Sequence, residues 1–379
     1  MKRLIVMMMA LFVCFASQGR RRDANPFTAV VFSKGDYGYD TFRIPAIVRA
    51  KDGSLIVFAE ARKHGAGDTG DIDLVMRRSR DGGVTWGEMS VVWDDAGNVC
   101  GNPSPVVDRS SGRIILVGTW NDGRDKESAI RSRESISTRK VFVMFSDDDG
   151  ENWSVPKDIT TETKRPEWTW YATGPCHAVQ LEVGPHAGRI VVACDHGVFE
   201  DGPKGTRCHV IYSDDLGETW SMSSEIPTGN ESTVAQLRNG DVMINMRNVF
   251  KDEHRKAPYR WVAVSRDGGM TFGEPYMQQD LPEPICNASL IEYAPKGRLT
   301  RKLLFSNPSD VSKRVNMTVK LSRDNGRTWT PVYQAPEKKA AYSDLCVLPD
   351  GSAVLLYECG DYTPYDQIRF TLLPREYFR

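Results

Sequence analysis

Short runs of apolar, β-branched and aromatic residues, broken by Gly, Asp, Asn or Pro, recur along most of the chain: SLIVFAEAR, RIILVGTW, RIVVACDHG, DVMINMRN, KLLFSNP and SAVLLYECG. Turn signals return every few residues, and almost no stretch keeps a 3.6-residue apolar period. The pattern therefore predicts an all-β chain.

A second periodicity organises these strands. SRDGGVTW (79–86), SDDDGENW (146–153), SDDLGETW (213–220), SRDGGMTF (265–272) and SRDNGRTW (322–329) follow one template, Ser-x-Asp-x-Gly-x-Thr-Trp, with Asn152 and Phe272 as the departures. The copies start 67, 67, 52 and 57 residues apart, each after a strand-like run. An Asp that accepts backbone N–H bonds, a Gly that supplies positive φ and a closing aromatic read as a stapled hairpin turn repeated once per structural unit, not as a metal site. Unequal intervals of this size suit four-stranded blades with loop insertions. The expectation is an all-β, six-bladed β-propeller from residue 20 to 379, with the ring closed by the chain ends.

Composition narrows the function. Lys+Arg at 49 against Asp+Glu at 50 leaves a net charge of −1, so no overall basic bias points to nucleic acid. Lys2 and Arg3, then an apolar run from Leu4 to Ala16, then small residues before Arg20, read as an export signal over residues 1–19, too short to remain as a membrane span. Cys14 opens the alternative of a lipoprotein anchor, although Val13 departs from the usual small residue. The expected location is thus periplasmic, extracellular or outer-membrane associated. Cys100, Cys176, Cys194, Cys208, Cys286, Cys346 and Cys359 form no CxxC pair and are odd in number, so buried free thiols are expected, with no metal and no cofactor.

One residue breaks the apolar logic. In YDTFRIPAIV (39–48), Arg43 stands among Phe42, Ile44, Ile47 and Val48. A guanidinium cannot escape burial by losing its proton, so it needs an anionic partner. FRIP at 42–45 followed by the five Asp-boxes resembles the sialidases, in particular the bacterial exo-sialidases, over essentially the whole chain after the leader.

The resemblance implies three arginines clamping the carboxylate of sialic acid, matched here by Arg43, Arg247 in DVMINMRN and Arg314 in SKRVNMTVKLS. Charge-assisted bonds of this kind contribute about 1.5–3 kcal/mol each. A carboxylate nucleophile attacking within about 4 Å of the sugar carboxylate would meet roughly 4 kcal/mol of repulsion at an effective dielectric near 20, which a neutral nucleophile avoids. Sialidases are the tyrosine exception among retaining glycosidases, and the matching residue is Tyr342. The resemblance pairs it with Glu231 as base, and assigns the general acid to Asp68 in EARKHGAGDTGDIDLVMRRS, with Asp71 as the alternative. Arg62 matches an auxiliary arginine near the acid or carboxylate. Asn102, Pro103, Trp120, Asp122, His177 and Gln180 fall where such enzymes often contact the rest of the sugar.

The implied activity is exo-α-sialidase hydrolysis of sialylated glycoproteins, glycolipids and oligosaccharides by a monomer. A trans-sialidase or an intramolecular trans-sialidase would use the same centre. A sialoside-binding propeller without catalysis is the alternative of another class; it predicts that the tyrosine, glutamate and arginines are scattered or missing.

Overall fold

The computed structural model describes residues 25–202, 205–249 and 258–379; the leader and its Cys14 lie outside them. The described chain is all-β apart from short helical turns, of which Glu127–Ser132 is the longest α-helix.

Antiparallel sheets follow one another along the chain. Phe27–Ser33 pairs with Gln367–Leu373, which pairs with Ala353–Gly360 and then Lys339–Val347, so the first strand completes the sheet built by the last three. Further sheets run from Trp168–Thr173 to Ser221–Met222, from Ser232–Gln236 to Tyr276–Pro282 and from Ser289–Glu292 to Thr330–Gln334.

The expected six separate blades need correction. Four sheets of blade size are present, three of four strands and one of five, and the remaining strands, from Thr41–Arg49 to Lys157–Asp158, form a single eight-stranded sheet. The cause is local. A short connection after Ser90–Trp93 brings Val99 beside Ile72 in a parallel bridge, and the Ile72 amide donates to Asn98 O at 3.1 Å. Gly70 N to Gly123 O, at 2.8 Å, adds a second backbone bond across the same seam. The sequence repeat marks hairpins, and it does not report where neighbouring hairpins fuse.

The Asp-boxes are staples. In the first, Ser79 Oγ donates to Asp81 and accepts from the Gly83 amide, while Thr85 donates to Asp81 through both its amide and its hydroxyl. The other four repeat this net, and where Thr is replaced, the Asn152 side-chain amide donates to Asp148 at 2.7 Å instead. The closing aromatics pack edge-on to core rings, Trp86 against Phe370 and Trp153 against Phe58.

The box glycine is required twice over. Gly83 sits at φ +93°, and a Cβ there would lie 2.2 Å from the Phe370 ring. Left-handed strain and overpacking together predict that Gly83→Ala lowers stability by about 2–5 kcal/mol. A guanidinium midpoint unchanged from wild type would show that this turn does not hold the sheets together.

All seven cysteines among the described residues are buried and unpaired.

Candidate active site

Strand irregularities aim the functional residues. Thr41–Arg49 slips register between Arg43 and Ala46, with Ile44 at φ +57° and Pro45 offering no amide to the ladder. A β-branched residue in that region is strained and needs support. Glu358 supplies it, accepting the Ile44 amide at 2.8 Å. The strand Lys339–Val347 slips similarly between Ala340 and Ser343, and the same Glu358 carboxylate accepts the Tyr342 amide at 3.1 Å. It also pairs with Arg43 Nε at 3.2 Å. One fully buried carboxylate thus holds both bulges and gives Arg43 a resident anionic partner, where the sequence pointed only to the sugar carboxylate.

Around this support lies a cleft of ≈700 Å³. Arg43, Arg62, Asp68, Glu231, Arg247, Arg314 and Tyr342, drawn from widely separated stretches of sequence, all line it. The Tyr342 hydroxyl donates a short hydrogen bond to Glu231 Oε1 and accepts from Arg247 Nη1 at 3.1 Å. Arg247 also pairs with Glu231 Oε2 at 2.5 Å. Arg43 lies 5.0 Å and Arg314 5.4 Å from the centre of the Tyr342 ring. Tyr365 joins these two arginines, with its ring 4.3 Å from the Arg43 guanidinium and its hydroxyl accepting from Arg314 at 2.8 Å.

The electrostatics follow from this packing. Burial first, and the Glu231 charge second, push the Tyr342 phenol well above its ordinary value, while Arg247, Arg314 and Arg43 pull the other way. At rest Tyr342 is a neutral phenol bonded to the Glu231 carboxylate.

Asp68 lines the same cleft, on the loop after Leu55–Arg62. Arg62 holds that loop by donating to Ala66 O at 2.5 Å and Gly67 O at 2.9 Å, and it pairs with Asp68 at 2.8 Å. Arg43 stands 3.7 Å from the same carboxylate. Desolvation by the cleft walls raises the Asp68 carboxyl, but Arg62 and Arg43 outweigh it and hold it below the usual carboxylate range. Glu60 anchors Arg62 from behind through both Nε and Nη2.

Other expected residues fall elsewhere. Asp71 pairs with Lys63 at 3.0 Å and does not line the cleft. Of the rim residues only Asn102 does, its amide donating to Glu60 and its side chain accepting from Arg139. Trp120 donates to Asp95, Asp122 accepts from Arg124, His177 bonds Asp344 and Gln180 bonds Asp108, all in structural contacts. Cys176, His177 and Asp344 lie close together, but the Asp344 carboxylate is already occupied by Ile47, His177 and Ser289 donors.

Sequence reading missed Glu358, Tyr365 and Glu60. A carboxylate inside the apolar runs AVLLYECG and SLIVFAEAR could have raised the question that Arg43 raised. Tyr365, in a loop rich in Asp, Thr and Pro, carries no such signal.

Comparison with known proteins gives the family. A BNR repeat-like domain matches residues 53–355. A sialidase of Micromonospora viridifaciens is 33% identical over 86% of this chain, which spans 51% of that relative. An exo-α-sialidase of Aspergillus fumigatus is 30% identical over 80% of this chain and 72% of its own length. Among solved structures, the Hadza microbial sialidase Hz136 superposes with a TM-score of 0.81 at 28% identity, covering 92% of this chain and 69% of that one. By the repeat domain and by these relatives, the chain belongs to the sialidase family.

Proposed function

We propose that the protein is an exo-α-sialidase that hydrolyses terminal α-linked sialic acid from glycoconjugates with retention at the anomeric carbon. The observation that carries this reading is the Glu231–Tyr342–Arg247 contact, a neutral nucleophile bonded to its base beneath a cluster of guanidiniums.

Arg43, Arg247 and Arg314 bind the sugar carboxylate. Glu231 takes the phenol proton as Tyr342 attacks the anomeric carbon, and Asp68 protonates the departing glycosidic oxygen. The covalent intermediate is then opened by water, whose proton returns to Asp68, while Tyr342 recovers its own from Glu231. Bound sugar also reverses the charge balance at Asp68. Its carboxylate offsets the Arg43 charge, and the ring excludes water, so both changes raise the carboxyl toward the protonated form needed for an acid.

An acid matters most when the leaving group is poor. Asp68→Ala is expected to slow cleavage of alkyl and sugar sialosides by about 10²–10⁴-fold. Cleavage of an activated aryl sialoside should slow far less. Equal losses on both would remove Asp68 from the role of acid. A folded wild-type protein that binds sialoside and never cleaves it would make the site a lectin.

The leader read from residues 1–19 supports action outside the cytoplasm on sialylated glycans. Among the described residues no helix is long and apolar enough to cross a membrane.

A further inference from the structure

A groove on the face opposite the cleft has no part in the steps above. Two recesses of ≈690 Å³ and ≈500 Å³ share Arg238, Arg298 and Leu299, so they run into one another. The strands fix which face this is. Glu231 of the cleft precedes the strand Ser232–Gln236, and Arg238 follows its other end. Arg314 of the cleft likewise precedes Met317–Ser322, which Arg323 follows. Strands of five and six residues put the two faces about 15–20 Å apart.

The charge along this groove is uneven. At one end Arg109 pairs with Glu182 at 2.9 Å and Arg189 with Asp214 at 2.8 Å. The other recess is lined by Arg238, Arg298, Arg301, Lys302 and Arg323, and by no carboxylate among the described residues. Lys302 reaches the Phe378 carbonyl at 2.8 Å, and Arg323 donates to the Arg379 carbonyl. The exposed side chains of Arg238, Arg298 and Arg301 have neither hydrogen bond nor ion pair among the described residues. Carboxylates adjoining in sequence are already engaged, Asp241 by Asn239 and Asp324 by Ser322 and Thr328. Other exposed arginines sit on carboxylates, as Arg80 does on Glu151 and Arg124 on Asp122. In a chain of net charge −1, three unpaired guanidiniums around one recess repel one another, and a bound anion relieves that repulsion.

The lining also says which anion fits. Guanidinium forks bind oxyanions through paired hydrogen bonds. No aromatic side chain lines either recess, so nucleic-acid bases would find no stacking platform. Leu299 is the apolar side chain of the cationic recess and is itself buried, which leaves nothing there to enter a lipid surface. We propose that this groove binds a sulfated glycan chain, and so holds the protein on a glycoconjugate while the cleft works on sialic acid termini. The choice of a glycan rests on the sialidase reading, whereas the anion groove itself does not.

Wild type and the triple variant Arg238→Ser/Arg298→Ser/Arg301→Ser would be compared for binding to chondroitin sulfate at low and high salt, with thermal melts checking the fold. None of the three side chains has a protein partner, so the variant should melt with wild type. Wild type should bind at low ionic strength and release as salt rises, and the variant should bind about tenfold more weakly or worse. Cleavage of a small aryl α-sialoside should be unchanged in the variant, while KM for a sulfated, sialylated glycoprotein should rise severalfold. Equal binding by both proteins, or none by wild type, would overturn the groove. Tighter binding to phosphatidylglycerol vesicles or to oligouridylate than to chondroitin sulfate would overturn the choice of partner. Failure of wild type to cleave the aryl sialoside would instead remove the sialidase reading, and with it the reason for choosing a glycan.

Discussion

Tyr342→Phe is expected to lower kcat/KM for an aryl α-sialoside by about three to four powers of ten, or roughly 4–5.5 kcal/mol of transition-state stabilisation. The substitution deletes one hydroxyl and little else. Glu231 keeps its ion pair with Arg247, and the Tyr342 amide keeps its bond to Glu358. The ring stays between Arg43 and Arg314. Substrate affinity should therefore change much less than turnover, and steady-state kinetics would show the split as a fall in kcat. A variant retaining more than about a tenth of wild-type kcat would mean that water or another group attacks directly.

Glu358→Ala should produce the largest loss of stability at the site, about 3–5 kcal/mol, because removing one partner leaves a buried guanidinium uncompensated. The carboxylate also accepts the Ile44 and Tyr342 amides, so both bulges lose their support together. Glu358→Gln should cost less stability, since its carbonyl can still accept one amide, but kcat/KM should fall because Arg43 and Tyr342 are no longer held in register. Denaturant unfolding measures the first effect and kinetics the second. A loss below about 1 kcal/mol in Glu358→Ala would indicate that Arg43 draws its compensation from Asp68, 3.7 Å away.

These two residues also mark how far the sequence was legible. Arg43 was conspicuous because a cation that cannot be neutralised stood in an apolar strand. Its everyday partner, Glu358, lies 315 positions away, and nothing local connects them. The Asp-boxes were legible as turns because Ser, Asp, Gly and Thr satisfy one another within a few residues. Blade separation was not, because the Ile72–Val99 bridge depends on where a connection happens to lie. Asp68 was singled out among several loop carboxylates by family pattern, and Arg62 explains physically why that loop position faces the cleft. His177 and Gln180 show the opposite error, since polar residues in loop-like stretches became buried structural partners of Asp344 and Asp108.

The most direct test of the account is the configuration of the first product. Proton NMR at early time, during cleavage of an α-sialoside by the wild-type protein, distinguishes the anomers before they interconvert. Attack by Tyr342 followed by water predicts that free sialic acid appears first as the α-anomer. The β-anomer appearing first would mean a single displacement by water, and would contradict a covalent role for Tyr342.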